Sequence, residues 1–136
     1  MKPNYDLIAF KSKENLFDSE LKEAHILYRP ILAQTYLSIV FSRNIYHTTS
    51  KDIYDASIKC AIISSTTGDG VPPVIEGSAI SSPGDSGSGV FSVSNHLIGM
   101  ILGRANDGRS AILRAQIIYA LLEFELTGQR RSHTYY

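Results

Sequence analysis

Six short stretches of the chain are rich in apolar residues, and one of them, QTYLSIVF, also combines β-branched and aromatic residues with a partial alternation of apolar and polar positions. This pattern is typical of strands that bury one face, because successive side chains of a strand point to opposite sides. We therefore predict a strand in each stretch, the first from Tyr5 to Phe10 and the second from about Thr35 to Phe41. The stretches are YDLIAF, QTYLSIVF, ASIKCAIISS, VIEGSAI, GVFSV and HLIGMILGR.

Turn and helix signals lie around these strands. Ser94 and Asn95 stand between the last two stretches and predict a short hairpin loop. Asp18 can cap a short helix in DSELKEAHILY, which Pro30 ends. The stretch RAQIIYALLEFEL has apolar residues at helical spacing and predicts an amphipathic helix from about Arg114 to Leu126. The residues on its apolar face are Ile117, Ile118, Leu121, Leu122 and Leu126.

The order of these elements indicates the fold class. Many short strands followed by one terminal helix are typical of an all-β domain, with the helix packed on its outside. A length of 136 residues suits one such domain. The pattern is compatible with a small antiparallel barrel and with a sandwich.

Charge and cysteine usage narrow the partners that the chain can be expected to bind. Thirteen basic residues match thirteen acidic ones, which leaves no electrostatic footprint for DNA, RNA or an anionic membrane. Four scattered histidines and one cysteine make no metal-ligand set, and no cofactor is implied. We expect Cys60, in the apolar run IKCAIIS, to be a buried and unreactive thiol.

The start of the sequence bears on where the protein acts. No stretch there is apolar enough for a signal peptide, and no stretch elsewhere is long enough for a membrane span. We therefore expect either an intracellular, by default cytoplasmic, protein or the C-terminal portion of a longer chain.

The stretch PGDSGSG, between two predicted strands, is the candidate for chemistry. Gly84 and Gly87 flank Asp85 and Ser86 and permit backbone angles that other residues resist. Such a turn can aim the N–H groups of Gly84 and Ser86 at one point, where they would stabilise the oxyanion formed when the Ser86 hydroxyl attacks a carbonyl. A Gly-x-Ser-x-Gly elbow is excluded, because positions 86 and 88 are both serine.

This loop and the strands after it carry a family resemblance. GDSGSGVF followed by HLIGMILG resembles the nucleophile loop and next strand of trypsin-like (chymotrypsin-fold) serine peptidases, and the terminal helix also matches that family. The resemblance implies an antiparallel six-stranded Greek-key barrel, the second barrel of the chymotrypsin fold, with a C-terminal α-helix. It also implies peptide-bond hydrolysis by acyl transfer, with Ser86 as the nucleophile, a polypeptide as the substrate and no cofactor.

Under this interpretation the chain divides into four parts. Residues 1–16 hold the strand with the triad aspartate, and residues 17–34 connect that strand to the barrel. Residues 35–127 form the C-terminal barrel with its helix. Residues 128–136 are a flexible tail.

Four further residues take roles that the resemblance implies. YDLIAFK is similar to the family strand that carries the triad aspartate, which makes Asp6 the orienting acid. Asp85 would bury its carboxylate against a processed N-terminal amine or an equivalent donor, although the sequence identifies no such donor. Ile80 would form the base of the primary specificity pocket and favour an apolar or small P1 residue. Gly103 would pair with the substrate backbone.

The sequence has no histidine where the family places its catalytic base. Only five residues precede Asp6, and none of them is histidine. The spacing template puts the base well before that aspartate. We interpret the histidines of the chain as isolated surface residues: His25, His47, His96 and His133.

Three explanations of the missing base stay open. The chain is the C-terminal portion of a longer protease, it pairs with a chain that supplies the histidine, or it is not catalytic. A lone second barrel would expose apolar surface, which an N-terminal barrel or a second copy of the chain would cover. If it is not catalytic, we expect a pseudo-peptidase that binds a protein partner through the cleft or that exposed face. An unrelated small β protein with a similar loop is a further alternative.

Overall fold

A computed structural model of the chain describes residues 7–18, 23–27, 29–43, 54–66 and 73–127. Within these ranges the backbone forms seven strands and one helix. The strands are β1 (His25–Ile26), β2 (Thr35–Arg43), β3 (Tyr54–Ser65), β4 (Val74–Ile80), β5 (Gly89–Ser92), β6 (His96–Arg104) and β7 (Arg109–Arg114). The helix is α1 (Ala115–Thr127).

Strands β2 to β7 form a closed six-stranded antiparallel barrel. Around the barrel the order is β6, β5, β2, β3, β4, β7, and the pairing of β7 with β6 closes it. β2, β3 and β4 are neighbours in chain order, and the next strand, β5, returns to lie beside β2. This arrangement of four strands is a Greek key. β1 lies outside the barrel, in parallel with the start of β6. α1 packs against β6 and β7.

The predicted all-β fold, a six-stranded antiparallel barrel with a C-terminal helix, is confirmed. β4 and β6 span the stretches VIEGSAI and HLIGMILGR as predicted, and α1 begins and ends one residue later than predicted. The predicted tight turn joins β5 to β6: Asn95 has a φ of 66°, and its N–H donates to the Ser92 carbonyl. Alternation and turn chemistry are sufficient at these positions because both are local properties.

β7 is a barrel strand that the sequence pattern does not reveal. Its residues, RSAILR, begin and end with arginine and hold only three consecutive apolar residues. Arg114 at its end is nevertheless buried, and its guanidinium donates to Gln116 Oε1 at 2.7 Å. Burial, and secondarily the positive charge of Arg29, lower the pKa of Arg114. In the sequence Arg114 looks like an exposed polar residue, although it is buried. The hydrophobic pattern therefore does not show that a strand ends there and a helix begins at the next residue.

Two elements predicted before the barrel are wrong within the described residues. Residues 7–10 form no strand, and Ile8 and Phe10 are 78% and 92% exposed. Residues 23–27 are not helical, because His25–Ile26 pairs with β6 instead. Apolar composition over so few residues does not decide between burial and exposure, since the outcome depends on the surface that the barrel presents to them.

The barrel interior contains aliphatic side chains around the buried Tyr36. The Tyr36 hydroxyl oxygen accepts a hydrogen bond from the Ala79 N–H at 3.2 Å, and the Ser110 hydroxyl donates to the Ala79 carbonyl at 2.9 Å. Burial raises the pKa of Tyr36, while hydrogen bonding to Ala79 and Ser110 acts in the opposite direction. Gly77 lies against the phenol ring: a Cβ there would be 2.2 Å from the Tyr36 hydroxyl oxygen. The other core residues are Val40, Ile63, Ile75, Val90, Ile98, Ile101 and Ile112.

Candidate functional site

The loop that joins β4 to β5, residues 81–88, begins with a tight turn. We call this segment the Ser86 loop. In its first turn the Asp85 N–H donates to the Ser82 carbonyl at 3.1 Å. Pro83 occupies the second position, and Gly84 occupies the third with a φ of 95°. Proline followed by a residue with positive φ is the signature of a type II turn, so the sequence determines this geometry locally.

A second turn follows at once and contains the candidate nucleophile. The Ser88 N–H donates to the Asp85 carbonyl at 3.1 Å, and Gly87 has a φ of 87° at the third position. Ser86 therefore occupies the second position of this turn, where its side chain is exposed. The two predicted glycine positions both adopt the positive φ that favours glycine.

Backbone hydrogen bonds fasten the Ser86 loop to β6. The Gly87 N–H donates to the Ile101 carbonyl at 2.7 Å, and the Ile101 N–H donates to the Ser88 carbonyl at 2.9 Å. The Ser86 hydroxyl donates to the Leu102 carbonyl at 3.1 Å. Leu102 lies at the irregularity in the β6–β7 register, opposite no residue of β7. The bulge thus provides the carbonyl that the Ser86 hydroxyl binds.

The side chain of Asp85 anchors the loop in the protein interior. Asp85 is 0% exposed, although Gly84 and Ser86 on either side of it are exposed. Its Oδ2 accepts hydrogen bonds from the Ser82 N–H at 2.9 Å and from Lys59 Nζ at 2.5 Å. Lys59, on β3, is the carboxylate's cationic partner, which the sequence analysis does not identify.

The position of Lys59 in β3 shows why sequence alternation does not identify it. It stands between Ile58 and Cys60, which are both exposed, and two residues before Ala61, which packs against the core. The prediction that Cys60 is buried is therefore wrong. Both faces of IKCAIIS are apolar apart from Lys59 on one and Ser64 on the other, so alternation alone does not tell which face points inward. The one signal in the sequence is a single lysine inside an otherwise apolar run, because a lysine on a buried face needs a partner.

The amides of Gly84 and Ser86 are the proposed oxyanion donors. The backbone hydrogen bonds of the loop use the N–H groups of Asp85, Gly87 and Ser88. Among the residues that the structure describes, the N–H groups of Gly84 and Ser86 donate no hydrogen bond. Both amides belong to exposed residues.

The two candidate substrate-binding residues lie at the borders of the loop. Ile80 ends β4; its side chain is 57% exposed, and its carbonyl accepts a hydrogen bond from Lys59 Nζ at 2.7 Å. Gly103 follows Leu102 in β6, and a Cβ built on it would meet no atom within 4 Å. The space beside Gly103 is thus open. The structure brings Ser86, Leu102 and Gly103 to one edge of the barrel.

Two histidines face each other at the other end of β6. His25 and His96 are direct partners in the β1–β6 register, and their ring centroids are 6.1 Å apart. The prediction of isolated histidines is therefore wrong for this pair. His96 lies six residues before Leu102 on an extended strand, a separation of roughly 20 Å. Neither histidine can act on Ser86 in this structure, because general-base catalysis needs hydrogen-bond contact.

Three residues named by the sequence analysis lie outside the described residues: Asp6, His47 and His133. Within the described ranges, no group of three or more histidine, cysteine, aspartate or glutamate side chains could hold a metal ion. The helix in those ranges is neither long nor apolar enough to cross a lipid bilayer.

Comparison with known proteins identifies no family for this chain. No family model matches the sequence, and no curated protein matches it. The structure establishes a closed six-stranded antiparallel barrel with one outer strand and a C-terminal helix. The resemblance to trypsin-like peptidases depends on the loop motif and the strands next to it.

Proposed function

We propose that the chain carries the nucleophile-bearing barrel of a trypsin-like serine endopeptidase. The observation that supports this most directly is the geometry of the Ser86 loop. The loop exposes a serine hydroxyl beside two amides, of Gly84 and Ser86, that donate no hydrogen bond among the described residues. The Greek-key barrel with its C-terminal helix is the fold that the resemblance implies.

The proposed reaction is the acyl transfer of serine peptidases. Ser86 Oγ leaves its hydrogen bond with the Leu102 carbonyl and attacks the scissile carbonyl carbon, while its proton passes to a histidine base. The carbonyl oxygen becomes an oxyanion and binds the amides of Gly84 and Ser86. The base then protonates the leaving amine, and water hydrolyses the acyl-serine.

The base in this proposal comes from outside the described residues. His25 and His96 are too far from Ser86, so another segment or another polypeptide supplies the imidazole. Asp6 is the proposed orienting acid for that imidazole. A polypeptide that supplies the histidine is also the proposed partner of the barrel.

Labelling with a fluorophosphonate tests the proposal, because the probe reacts with activated serines. We would treat both the purified protein and an extract of the cells that express it, and locate the adduct by peptide mass. The expected result is an adduct on Ser86 in at least one of the two samples. It should be lost in Ser86→Ala and kept in Ser88→Ala, a matched variant from the same loop. Absence of a Ser86 adduct from both samples would contradict an enzymatic role.

A second candidate function, a non-catalytic binding module, is favoured by an exposed apolar surface. Ile39 and Phe41 on β2 and Ile58 and Ile62 on β3 are 53%, 53%, 69% and 42% exposed. Ile39 is the direct register partner of Ile58, and Phe41 and Ile62 lie on the same outward side of these two strands, so the four side chains share one exposed apolar surface of the barrel. We call this patch the apolar face. Contiguous apolar surface of this kind marks interaction sites.

Association measurements test the second candidate. Ile58→Asp places a charge in the middle of the apolar face, and Val93→Asp is the matched control, since Val93 is 74% exposed at the β5–β6 turn. We expect sedimentation velocity and pull-down of the natural partner to show a complex that Ile58→Asp removes and Val93→Asp preserves. Equal complex formation by both variants would show that the apolar face holds no partner.

A further inference from the structure

A buried charge lies at the centre of the Ser86 loop. Asp85 is fully buried, whereas Pro83, Gly84, Ser86 and Gly87 around it are exposed. Transfer of a carboxylate from water to a protein interior is strongly unfavourable unless a counter-charge and hydrogen-bond donors accompany it. The conformation of the loop therefore depends on what satisfies this carboxylate.

Lys59 pairs with the carboxylate and also binds Ile80, the residue just before the loop. Its Nζ lies 2.5 Å from Asp85 Oδ2 and 2.7 Å from the Ile80 carbonyl oxygen. The Lys59 ammonium group thus links Ile80, at the end of β4, to Asp85, which belongs to both turns of the loop. The same Oδ2 accepts the Ser82 N–H, so the carboxylate in turn holds the first turn closed.

We infer that Lys59 is a positioning residue, which keeps the amides of Gly84 and Ser86 in place by holding Asp85 in the interior. Without the ammonium group, the carboxylate gains most by turning out into water. That movement would break the Ser82 contact and take the Asp85 peptide, which lies between the two amides, with it. Because the donor belongs to the barrel itself, the loop adopts its conformation when the chain folds, and no cleavage that creates a new N-terminal amine is needed. The role of these amides in catalysis rests on the proposed function, whereas the effect of Lys59 on the loop conformation does not.

Amide chemical shifts test the inference directly. In the ¹⁵N-labelled protein we would follow the amides of Gly84, Ser86 and Gly87, with those of Tyr36 and Val90 as reporters of an intact barrel. We expect Lys59→Met to shift or broaden the three loop amides and to leave the barrel amides in place. Lys59→Arg, which keeps a cation at the site, should retain the loop shifts, and Lys11→Met, at an exposed lysine, should change none of them.

A double variant keeps the test decisive if Lys59→Met does not fold. Lys59→Met combined with Asp85→Asn removes both charges, so that no unpaired ion is left buried. We expect this variant to fold and to show an altered shift at Gly87, because the Lys59 ammonium group no longer links Ile80 to the side chain at position 85. Gly87 is the reporter here, since the substitution at position 85 by itself changes the amide shifts of its neighbours Gly84 and Ser86. A Gly87 shift equal to that of Asp85→Asn alone would overturn the inference, because the loop would then hold its shape without Lys59.

The outcome for the loop is separable from the outcome for the enzyme. If Ser86 is labelled by the fluorophosphonate, Lys59→Met should slow labelling by about 100-fold, the scale of losing an oxyanion donor, and Lys59→Arg should restore most of it. If the wild-type protein is never labelled but Lys59→Met displaces the loop amides, the positioning role stands and the proposed function fails. Labelling at an unchanged rate in a folded Lys59→Met variant would refute the positioning role alone.

Discussion

The two faces of β3 differ in a way that reverses the usual arrangement of a strand. The inward face carries a charge, Lys59, among core residues such as Ile63, which is 0% exposed. The outward face carries Ile58, Cys60 and Ile62, all of them exposed. The inward lysine is consistent with its contact with the buried Asp85 carboxylate of the Ser86 loop. The outward apolar residues have no such internal use and are free to bind a partner.

The inward and outward faces of the barrel strands also differ in how well they should tolerate substitutions. Inward positions are constrained by neighbours: Gly77 has no room for a methyl group next to Tyr36, and Lys59 is held by two oxygen atoms. Outward positions contact little within the chain. We therefore expect substitutions on the two faces to differ mainly in their effect on the free energy of unfolding.

The sharpest comparison uses the same substitution on both faces of β3. Ile63→Ala should lower the free energy of unfolding by about 3 kcal/mol, because it leaves a cavity in the core. Ile58→Ala should change it by no more than about 0.5 kcal/mol, because the side chain is 69% exposed. Urea unfolding of the two variants measures both values. Similar losses for both would mean that the inward and outward assignment of β3 is incorrect.

Removal of the Lys59 cation should lower the free energy of unfolding by nearly as much as the cavity left by Ile63→Ala. Lys59→Met removes the cation that holds the Asp85 carboxylate in the interior, and we expect a loss of about 3 kcal/mol in unfolding free energy. This is the lower end of the range for broken buried pairs, since the Lys59 side chain is 23% exposed. Lys11→Met, at an exposed position, provides the control. If Lys59→Met lowers the free energy of unfolding no more than Lys11→Met does, the ion pair does not stabilise the folded chain.

Steric constraint inside the barrel can be tested with two glycines. Gly77→Ala should cost about 2 kcal/mol, because the fully buried Tyr36 ring cannot move away from the added methyl group. Gly103→Ala is the matched control, since a Cβ there meets no atom within 4 Å. Thermal unfolding of the two variants should separate them clearly. Equal midpoints would contradict the contact between Gly77 and Tyr36.

The buried phenol predicts a loss of stability in alkali. Because burial raises the pKa of Tyr36, its neutral form is favoured in the folded chain. Stability from this effect is complete below pH about 10, the pKa of an unfolded tyrosine, and falls as pH rises from there through the folded pKa. The slope contributed is at most about 1.4 kcal/mol per pH unit. Unfolding free energies measured from pH 9 to 11 should fall less steeply in Tyr36→Phe; parallel curves would rule the effect out.

The smallest effect is expected at the outward cysteine. Cys60 is exposed in the native barrel, so a thiol reagent should modify it completely without denaturant. The modification should barely change the free energy of unfolding, because the side chain points to solvent. Labelling that requires denaturant would show that the apolar face is covered, for example by a second copy of the chain.

Most barrel strands could be predicted from the sequence, whereas the relation between them could not. The stretches that became β4 and β6 alternate or carry β-branched residues over seven and nine positions, which is enough for a local assignment. β7 was hidden by the buried Arg114, and the stretch at residues 7–10 had the composition of a strand but no place in the barrel. Both errors concern residues whose environment is created by distant parts of the chain.

The sequence alone determined the two turns of the Ser86 loop, because a proline and two glycines set their backbone angles within a few residues. It also determined that the chain is mostly strand and ends in an amphipathic helix. Only the tertiary structure decided which face of β3 points inward, since both faces are apolar and closure of the barrel selects between them. The tertiary structure likewise decided that Lys59 contacts Asp85, 26 residues further along the chain. A contact between a strand residue and a distant loop residue leaves no periodic pattern in the sequence.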